Sequence, residues 1–265
     1  MNLWQNITLG RYFPADSIVH RLDPRAKLLA TIGIMFTIML TESWPALLLW
    51  TALLGAAMLS TRIPFRIFVR NLRAFLWLFG ITILLHALTS STAPEVARWG
   101  FAFSWSGVLM GVKYALRLGL LVIAAAILSN TTIPTDLTDG LERLLRPLQR
   151  LKFPVHELAL MTTMALRFAP TIVEEAQRIQ RAQISRGARF EGSLLQRVQA
   201  LVPMLVPLFV STFNRADELA VAMEARCYQG GEGRVSYREL AWRRRDWATL
   251  GVVAGMSLLA FHLSR

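Results

Sequence analysis

The sequence predicts an all-α membrane protein with about five transmembrane helices and a cytoplasmic domain of long crossed helices. Hydrophobic residues make up 54% of the chain and charged residues 17%, which is too apolar for an ordinary soluble domain and too charged for membrane spans alone. The charge is concentrated, because residues 131–246 hold 17 of the 29 Lys and Arg and 13 of the 17 Asp and Glu. Helical periodicity also runs through that charged region. The chain therefore has a lipid-facing part and a water-facing part.

Five apolar segments are candidate membrane spans, and the first of them is short, so it is either little tilted or extended at the interface. They lie at about residues 26–40, 46–60, 74–88, 107–128 and 247–263. Asp23 followed by Pro24 predicts the start of the first helix, since Asp is a good N-cap and proline fits the first helical position. We expect three regions: residues 1–130 with spans one to four, a cytoplasmic domain over 131–245, and a C-terminal span over 246–265.

The distribution of arginine predicts how the chain crosses the membrane. The linker between the second and third spans has four arginines and no acid: Arg62, Arg66, Arg70 and Arg73. Because short cytoplasmic loops are enriched in Lys and Arg, we expect a cytoplasmic N-terminus, a cytoplasmic charged domain and a C-terminus outside the cell (inner) membrane. The same rule explains the net charge of +12, so the expected partner is the lipid bilayer and not nucleic acid. No cleaved signal peptide is expected, because no such pattern is present.

Three helical patterns follow one another in the charged domain. The first is a leucine stripe at helical spacing over residues 137–151, typical of an amphipathic helix. The second runs from about 155 to Arg186 and contains Pro170, which is expected to kink it. The third runs from about 193 to 228. The second and third patterns exceed normal globular lengths and carry apolar residues on much of their surface, so we expect these helices to cross each other or to pack under the membrane spans.

A short phrase, Ala-x-x-small-Arg-small, occurs near the end of each long helix. Its first copy spans residues 182–187 and includes Ser185, Arg186 and Gly187; its second spans 222–227 and includes Ala225, Arg226 and Cys227. An arginine in a last turn complements the helix dipole, and Gly187 is a natural terminating residue. The duplication favours a second role, because a guanidinium offers a planar fork that grips carboxylates at interfaces.

The chemistry that an enzyme would need is not visible in the sequence. There is no G-x-x-x-x-G-K-[ST] phosphate loop, and His156-Glu157 lacks the second histidine of a zinc protease motif. The single cysteine, Cys227, excludes a disulfide framework and a cysteine zinc site. An enzymatic role is therefore unsupported rather than excluded, and we expect no cofactor and no metal in this chain.

The chain resembles the transmembrane T component of energy-coupling factor (ECF) transporters, the EcfT/CbiQ family, over nearly its whole length. Three stretches carry the resemblance: residues 10–28, Ser185-Arg186-Gly187, and residues 222–231. The resemblance implies a coupling subunit of an ABC-type importer for a vitamin or a metal ion. It also implies two cytoplasmic ABC-type ATPases as partners, which bind the ATP and Mg²⁺, and a small membrane S component that binds the cargo.

The resemblance assigns docking roles to the two arginine phrases. Ser185, Arg186 and Gly187 would contact one ATPase, and Ala225, Arg226 and Cys227 the other. The sequence departs from the family pattern at Ser185 and at Cys227, which stands in place of glycine. Because cysteine adopts a left-handed backbone poorly, the third long helix is expected to continue past Arg226 and to end near residues 230–231.

Two alternatives remain open from the sequence. A stand-alone carrier or permease would use the charged and polar residues of the spans, namely Lys113, Arg117 and His86. The sequence favours snorkelling of Lys113 and Arg117 to the headgroups and a hydrogen-bonded interior position for His86. A membrane-bound enzyme is the other alternative, although no constellation of residues supports it.

Overall fold

The computed structural model describes residues 13–89, 96–98, 101–188, 194–230 and 241–264. Its helices are α1 (Pro24–Leu40), α2 (Trp44–Ser60), α3 (Phe65–Arg73), α4 (Leu76–Thr89), α5 (Trp105–Thr131), α6 (Pro134–Leu145), α7 (Val155–Ser185), α8 (Leu194–Glu224) and α9 (Arg244–Ser264). A 3₁₀ helix covers Arg146–Leu151, and β1 (Val96–Arg98) pairs antiparallel with β2 (Phe101–Phe103). Residues 10–12 and residue 231, which belong to the stretches named in the sequence analysis, lie outside the described residues.

All five predicted spans are helical, which confirms an all-α membrane protein. Among the described residues, α5 and α9 are long and apolar enough to cross a bilayer, and α3 with α4 forms a third candidate if the pair is one span bent by 52°. The helices α1 and α2 have 17 residues each, at the short end of the range for a span.

The basic linker before α4 is helical, where the sequence analysis predicted only a connection. Ile63 and Phe68 are buried together with Ala126 of α5, whereas the four arginines of this segment are exposed. Burying one face of a short segment stabilises an amphipathic helix that its own propensity would not support.

Local signals explain where two other helices start and stop. The Asp23 carboxylate accepts the N–H of Arg25 at 2.9 Å, and Pro24 is the first helical residue, as predicted. The leucine stripe predicted as one helix over 137–151 instead ends its α-helical part at Leu145 and continues as the 3₁₀ helix. Proline at 147 explains the change, because it has no N–H to donate within an α-helix.

The contacts divide the chain into two units, with boundaries between Arg143 and Leu144 and between residues 239 and 240. One unit contains α1 to α5, nearly all of α6, and α9; the other contains the 3₁₀ helix, α7 and α8. The core of the first unit is formed where α1, α2, α5 and α9 meet, around the fully buried Trp50 and Ile38. Thr37 of α1 and Ser257 of α9 also share a hydrogen bond of 3.1 Å between their hydroxyls, a common way for apolar helices to associate.

Gly111 allows the close approach of α4 and α5, and its substitution gives a direct test of this packing. A Cβ at Gly111 would lie 2.7 Å from the Cα of Ile83, and backbone cannot move aside as a flexible side chain can. We expect Gly111→Ala to lower the free energy of unfolding by about 1–3 kcal/mol, measured by thermal unfolding in detergent. Gly80→Ala in α4 is the control, since a Cβ at Gly80 meets nothing within 4 Å; equal effects of the two would contradict close packing at Gly111.

Candidate functional site

The first arginine phrase forms the end of α7. Ser185 is the last helical residue, Arg186 is the C-cap, and Gly187 has a left-handed φ of +89°. The N–H of Gly187 donates to the carbonyl of Ile184 at 2.9 Å, and the N–H of Ala188 donates to that of Gln183 at 3.0 Å. These two bonds define a Schellman cap, so Gly187 terminates the helix as the sequence predicted.

The second phrase ends α8 with the same geometry, which overturns the expected continuation past Arg226. Cys227 adopts φ +58°, its N–H donates to the Glu224 carbonyl at 2.8 Å, and the N–H of Tyr228 donates to the Met223 carbonyl at 3.0 Å. Tyr228 is half-buried and lines a cleft together with Met223, the pairing of positions that usually accompanies this cap. Satisfied carbonyls and the packing of Tyr228 offset the cost of a left-handed cysteine.

The left-handed backbone at Cys227 leads to a stability prediction. A left-handed residue with a Cβ costs roughly 1 kcal/mol, so we expect Cys227→Gly to stabilise the end of α8. Hydrogen exchange of the Tyr228 amide should slow by about fivefold. Gly187→Ala is the reverse control at φ +89° and should speed exchange at the Ala188 amide. Faster exchange in Cys227→Gly would contradict the strain at this position.

The two caps present their arginines to solvent. Arg186 and Arg226 are both exposed, as are Ser185, Gly187, Ala225 and Cys227. The Ser185 hydroxyl donates back to the carbonyl of Arg181 at 3.1 Å, so it is occupied within the helix. Neither arginine forms an ion pair with another residue in the described part of the chain. Within the described ranges, both guanidinium groups therefore have no acidic partner.

The two arginine caps lie at different places along the helix pair. The end of α8 meets α7 near Arg167, because Arg167 and Arg226 line the same cleft. Arg186 lies nineteen residues further along α7, which corresponds to about 28 Å along a helix. The two arginine caps are therefore separate positions on the helix pair.

Two residues of the carrier alternative, His86 and Arg117, contact other side chains and backbone of the helices around them. The His86 Nδ1 lies 2.8 Å from the carbonyl of Thr82, and its ring stacks on Tyr114 with centroids 4.7 Å apart, which confirms a hydrogen-bonded, half-buried histidine. The Arg117 guanidinium lies 5.1 Å from the Tyr114 ring centroid and donates to the carbonyl of Thr41 at the end of α1. Arg117 therefore caps the end of α1, and the expectation that Lys113 and Arg117 snorkel to the headgroups stays a prediction.

The sequence analysis missed a buried polar junction, here called the Asp246 junction, formed by Asp23, Lys27, Thr131, Arg243 and Asp246. The Asp246 carboxylate accepts the N–H of Asp23 at 2.9 Å and that of Arg243 at 2.8 Å. The Lys27 ammonium donates a hydrogen bond of 2.9 Å to the carbonyl of Thr131. The junction ties the starts of α1 and α9 to the end of α5.

The segment before α1 is fixed to the same junction. The N–H of Phe13 donates to the Asn130 carbonyl at 3.0 Å, and Lys27 also donates to the His20 carbonyl at 3.2 Å. The His20 Nε2 donates to the Phe13 carbonyl at 3.0 Å, so its Nδ1 accepts from the Ser17 hydroxyl at 2.7 Å. Burial lowers the pKa of His20, consistent with this neutral ring. Residues 13–28, the described part of the first stretch that carries the resemblance, therefore contact α1, α5 and α9.

Comparisons with known proteins agree with this architecture. The sequence matches the cobalt transport protein family, CbiQ, over residues 15–237. It is 45% identical to the energy-coupling factor transporter transmembrane protein EcfT of Thermanaerovibrio acidaminovorans, with 98% of each chain covered. It is 46% identical to the EcfT protein of Heliobacterium modesticaldum over 96% of each chain, and 43% identical to that of Bacillus subtilis over 98% of this chain and 99% of the relative. Membership follows from identity of this extent over nearly full length: the chain belongs to the CbiQ/EcfT family of energy-coupling factor transporter transmembrane proteins.

Proposed function

We propose that this chain is the coupling subunit that transmits ATP-driven motion from two cytoplasmic ABC-type ATPases to a substrate-binding S component. The observation that carries the proposal is the pair of arginine caps: two helix ends with the same Schellman geometry, each with an exposed arginine. Because the ends of α7 and α8 have the same cap geometry, each end suits one of two similar ATPase subunits. Membership in a transporter family supports the same assignment.

The guanidinium groups of Arg186 and Arg226 are the proposed contacts with the ATPases. A guanidinium binds a carboxylate through two parallel hydrogen bonds, which fixes orientation as well as adding affinity. The cap holds each arginine at a rigid helix end, so force on the side chain is passed to the helix axis. The ATPases bind ATP and Mg²⁺, and this chain contributes no catalytic residue to hydrolysis.

The S component is proposed to contact α8. Eight large apolar side chains of α8 are exposed, from Val198 through Phe213, among them Val206 at 64% and Phe213 at 66%. An apolar surface of this extent marks an interaction site, and a membrane-embedded cargo-binding subunit has the matching chemistry. The proposed cargo is a vitamin or a metal ion.

Coupling requires that ATP binding favour one arrangement of α7 and α8 over another. Closure of the two ATPases would change the distance between the residues that grip Arg186 and Arg226. The helices would then move with respect to each other, and the apolar surface of α8 would carry that motion to the S component. Hinge and shear motions of packed helices provide such changes in known switches.

The test of this proposal is assembly with the ATPases. The full chain, expressed with the two ABC ATPase subunits of the same transporter, should co-purify with both in detergent as a stable complex that hydrolyses ATP. The carrier alternative predicts transport by the chain alone in proteoliposomes. Recovery of the chain without any ATPase under conditions where both are soluble would overturn the coupling role.

The proposed orientation has its own test. The arginines before and within α3 are proposed to face the cytoplasm, with the end of α9 outside the cell membrane. A reporter fused after Arg265 should therefore be active only on the outer side, and one placed in the 146–151 segment only in the cytoplasm. A cytoplasmic signal from the C-terminal reporter would contradict five spans.

A further inference from the structure

The end of α8 lies on a cleft between α7 and α8, and the cleft has an unusual lining. Its volume is about 690 Å³, which falls in the range of binding pockets. Leu160, Met164 and Arg167 of α7 line it together with Leu219 and Met223 of α8 and with Arg226 of the cap that ends α8. Each helix, with its cap, contributes a leucine, a methionine and an arginine at positions i, i+4 and i+7, which lie on one helix face.

The two arginines give the cleft a positive charge that no described lining residue balances. Arg167 and Arg226 are both exposed, and no acidic residue belongs to the described lining. Among the described residues, neither arginine forms an ion pair. Two like charges beside apolar side chains favour an anionic group that brings its own apolar stem.

We propose that this cleft receives an acidic side chain, Asp or Glu, from one of the two ATPases, and that Arg167 grips it together with Arg226. The inference rests on the proposed function and extends it, because it adds a residue outside both arginine phrases. A glutamate fits the lining well: its methylenes would lie on Leu160, Met164 and Met223 while its carboxylate lies between the guanidinium groups. Arginine with methionine is also typical of protein interfaces.

The only cysteine of the chain provides the probe, because Cys227 is exposed and lines the cleft. The full chain in phosphatidylcholine nanodiscs is treated with a maleimide, with and without saturating ATPase subunits. We expect the ATPases to slow modification of Cys227 by about tenfold or more. The control is a chain with Cys227→Ser and Asp217→Cys, because residue 217 is exposed and, unlike Leu219, does not line the cleft. The ATPases should not slow modification of the cysteine at 217.

Arg167→Gln separates the cleft from the rest of the docking surface. Loss of one charge-assisted hydrogen bond should weaken binding of the ATPases about tenfold and should remove much of the protection at Cys227. Arg181→Gln, an exposed arginine of the same helix, should change neither. Both variants replace exposed side chains, so equal protein yields and equal thermal stability confirm that folding is intact.

Each remaining outcome overturns a different statement. If the complex forms through Arg186 and Arg226 but Cys227 stays reactive and Arg167→Gln binds normally, the cleft inference is wrong and the coupling role stands. If nanodiscs containing phosphatidylglycerol protect Cys227 without ATPases, a lipid phosphate occupies the cleft and the inference is again wrong. If no ATPase binds the wild-type chain at all, the coupling role fails and the cleft inference fails with it.

Discussion

Reversal of both capping arginines, Arg186→Glu with Arg226→Glu, is expected to abolish assembly with the ATPases and uptake of the cargo. Each substitution replaces an exposed guanidinium by a carboxylate that repels the proposed acidic partner. Truncating one partner of a close charge pair at an interface costs about 2–5 kcal/mol, so the double reversal should weaken binding by roughly 1,000-fold or more. Co-purification and surface-immobilised binding of the ATPases measure this loss directly.

The helices themselves should survive the double reversal. Both caps are formed by backbone hydrogen bonds and a left-handed residue, and no described ion pair depends on either arginine side chain. Membrane insertion and thermal stability should therefore match those of the wild type. Arg181→Glu, one turn before the α7 cap and also exposed, is the matched control and should bind the ATPases within about threefold of wild type. Normal uptake by the double variant would refute the docking role.

Some helix starts and ends could be predicted from the sequence alone, because residues at those positions determine them locally. Asp23 and Pro24 mark a helix start through their own side chains, and Gly187 marks a helix end through its backbone freedom. The end of α8 was misjudged because a cysteine at 227 gives no such signal. Its left-handed backbone follows from the hydrogen bonds of the cap and from packing of Tyr228 in the cleft, which depends on a second helix 60 residues earlier.

Contacts between distant residues account for what the sequence could not show. The helical state of α3 depends on burial of Phe68 with Ala126 of α5. The sequence of a short basic segment does not show that such a contact will form. Arg167 lies mid-helix, outside the repeated phrase, and joins Arg226 only because α7 and α8 cross there. The Asp246 junction joins residues 223 positions apart. An acid directly after three arginines looks like an ordinary charged flank until its partners are known.

Removal of the Asp246 carboxylate is expected to be the most destabilising single change in the unit that contains the apolar helices. Asp246 is 1% exposed, and its two oxygens accept the N–H groups of Asp23 and Arg243. The contact with Arg243 also caps α9, since an acidic third residue reaches back to the N-cap amide. Its charge attracts the Lys27 ammonium as well.

Asp246→Ala would therefore leave the buried N–H of Asp23 and the part-buried N–H of Arg243 without their acceptor, and would remove a negative charge that balances the buried Lys27 ammonium. Breaking a buried charged network in this way costs about 3–5 kcal/mol, which corresponds to a drop of roughly 10 °C in the apparent Tm of a chain of this size. Thermal unfolding in detergent at a fixed scan rate, followed by tryptophan fluorescence, measures the change. Asp16→Ala is the matched control, because Asp16 forms an exposed ion pair with Arg21 at 3.2 Å and such pairs contribute less than about 1 kcal/mol. If the two variants lose the same stability, the starts of α1 and α9 are not held together by the Asp246 carboxylate.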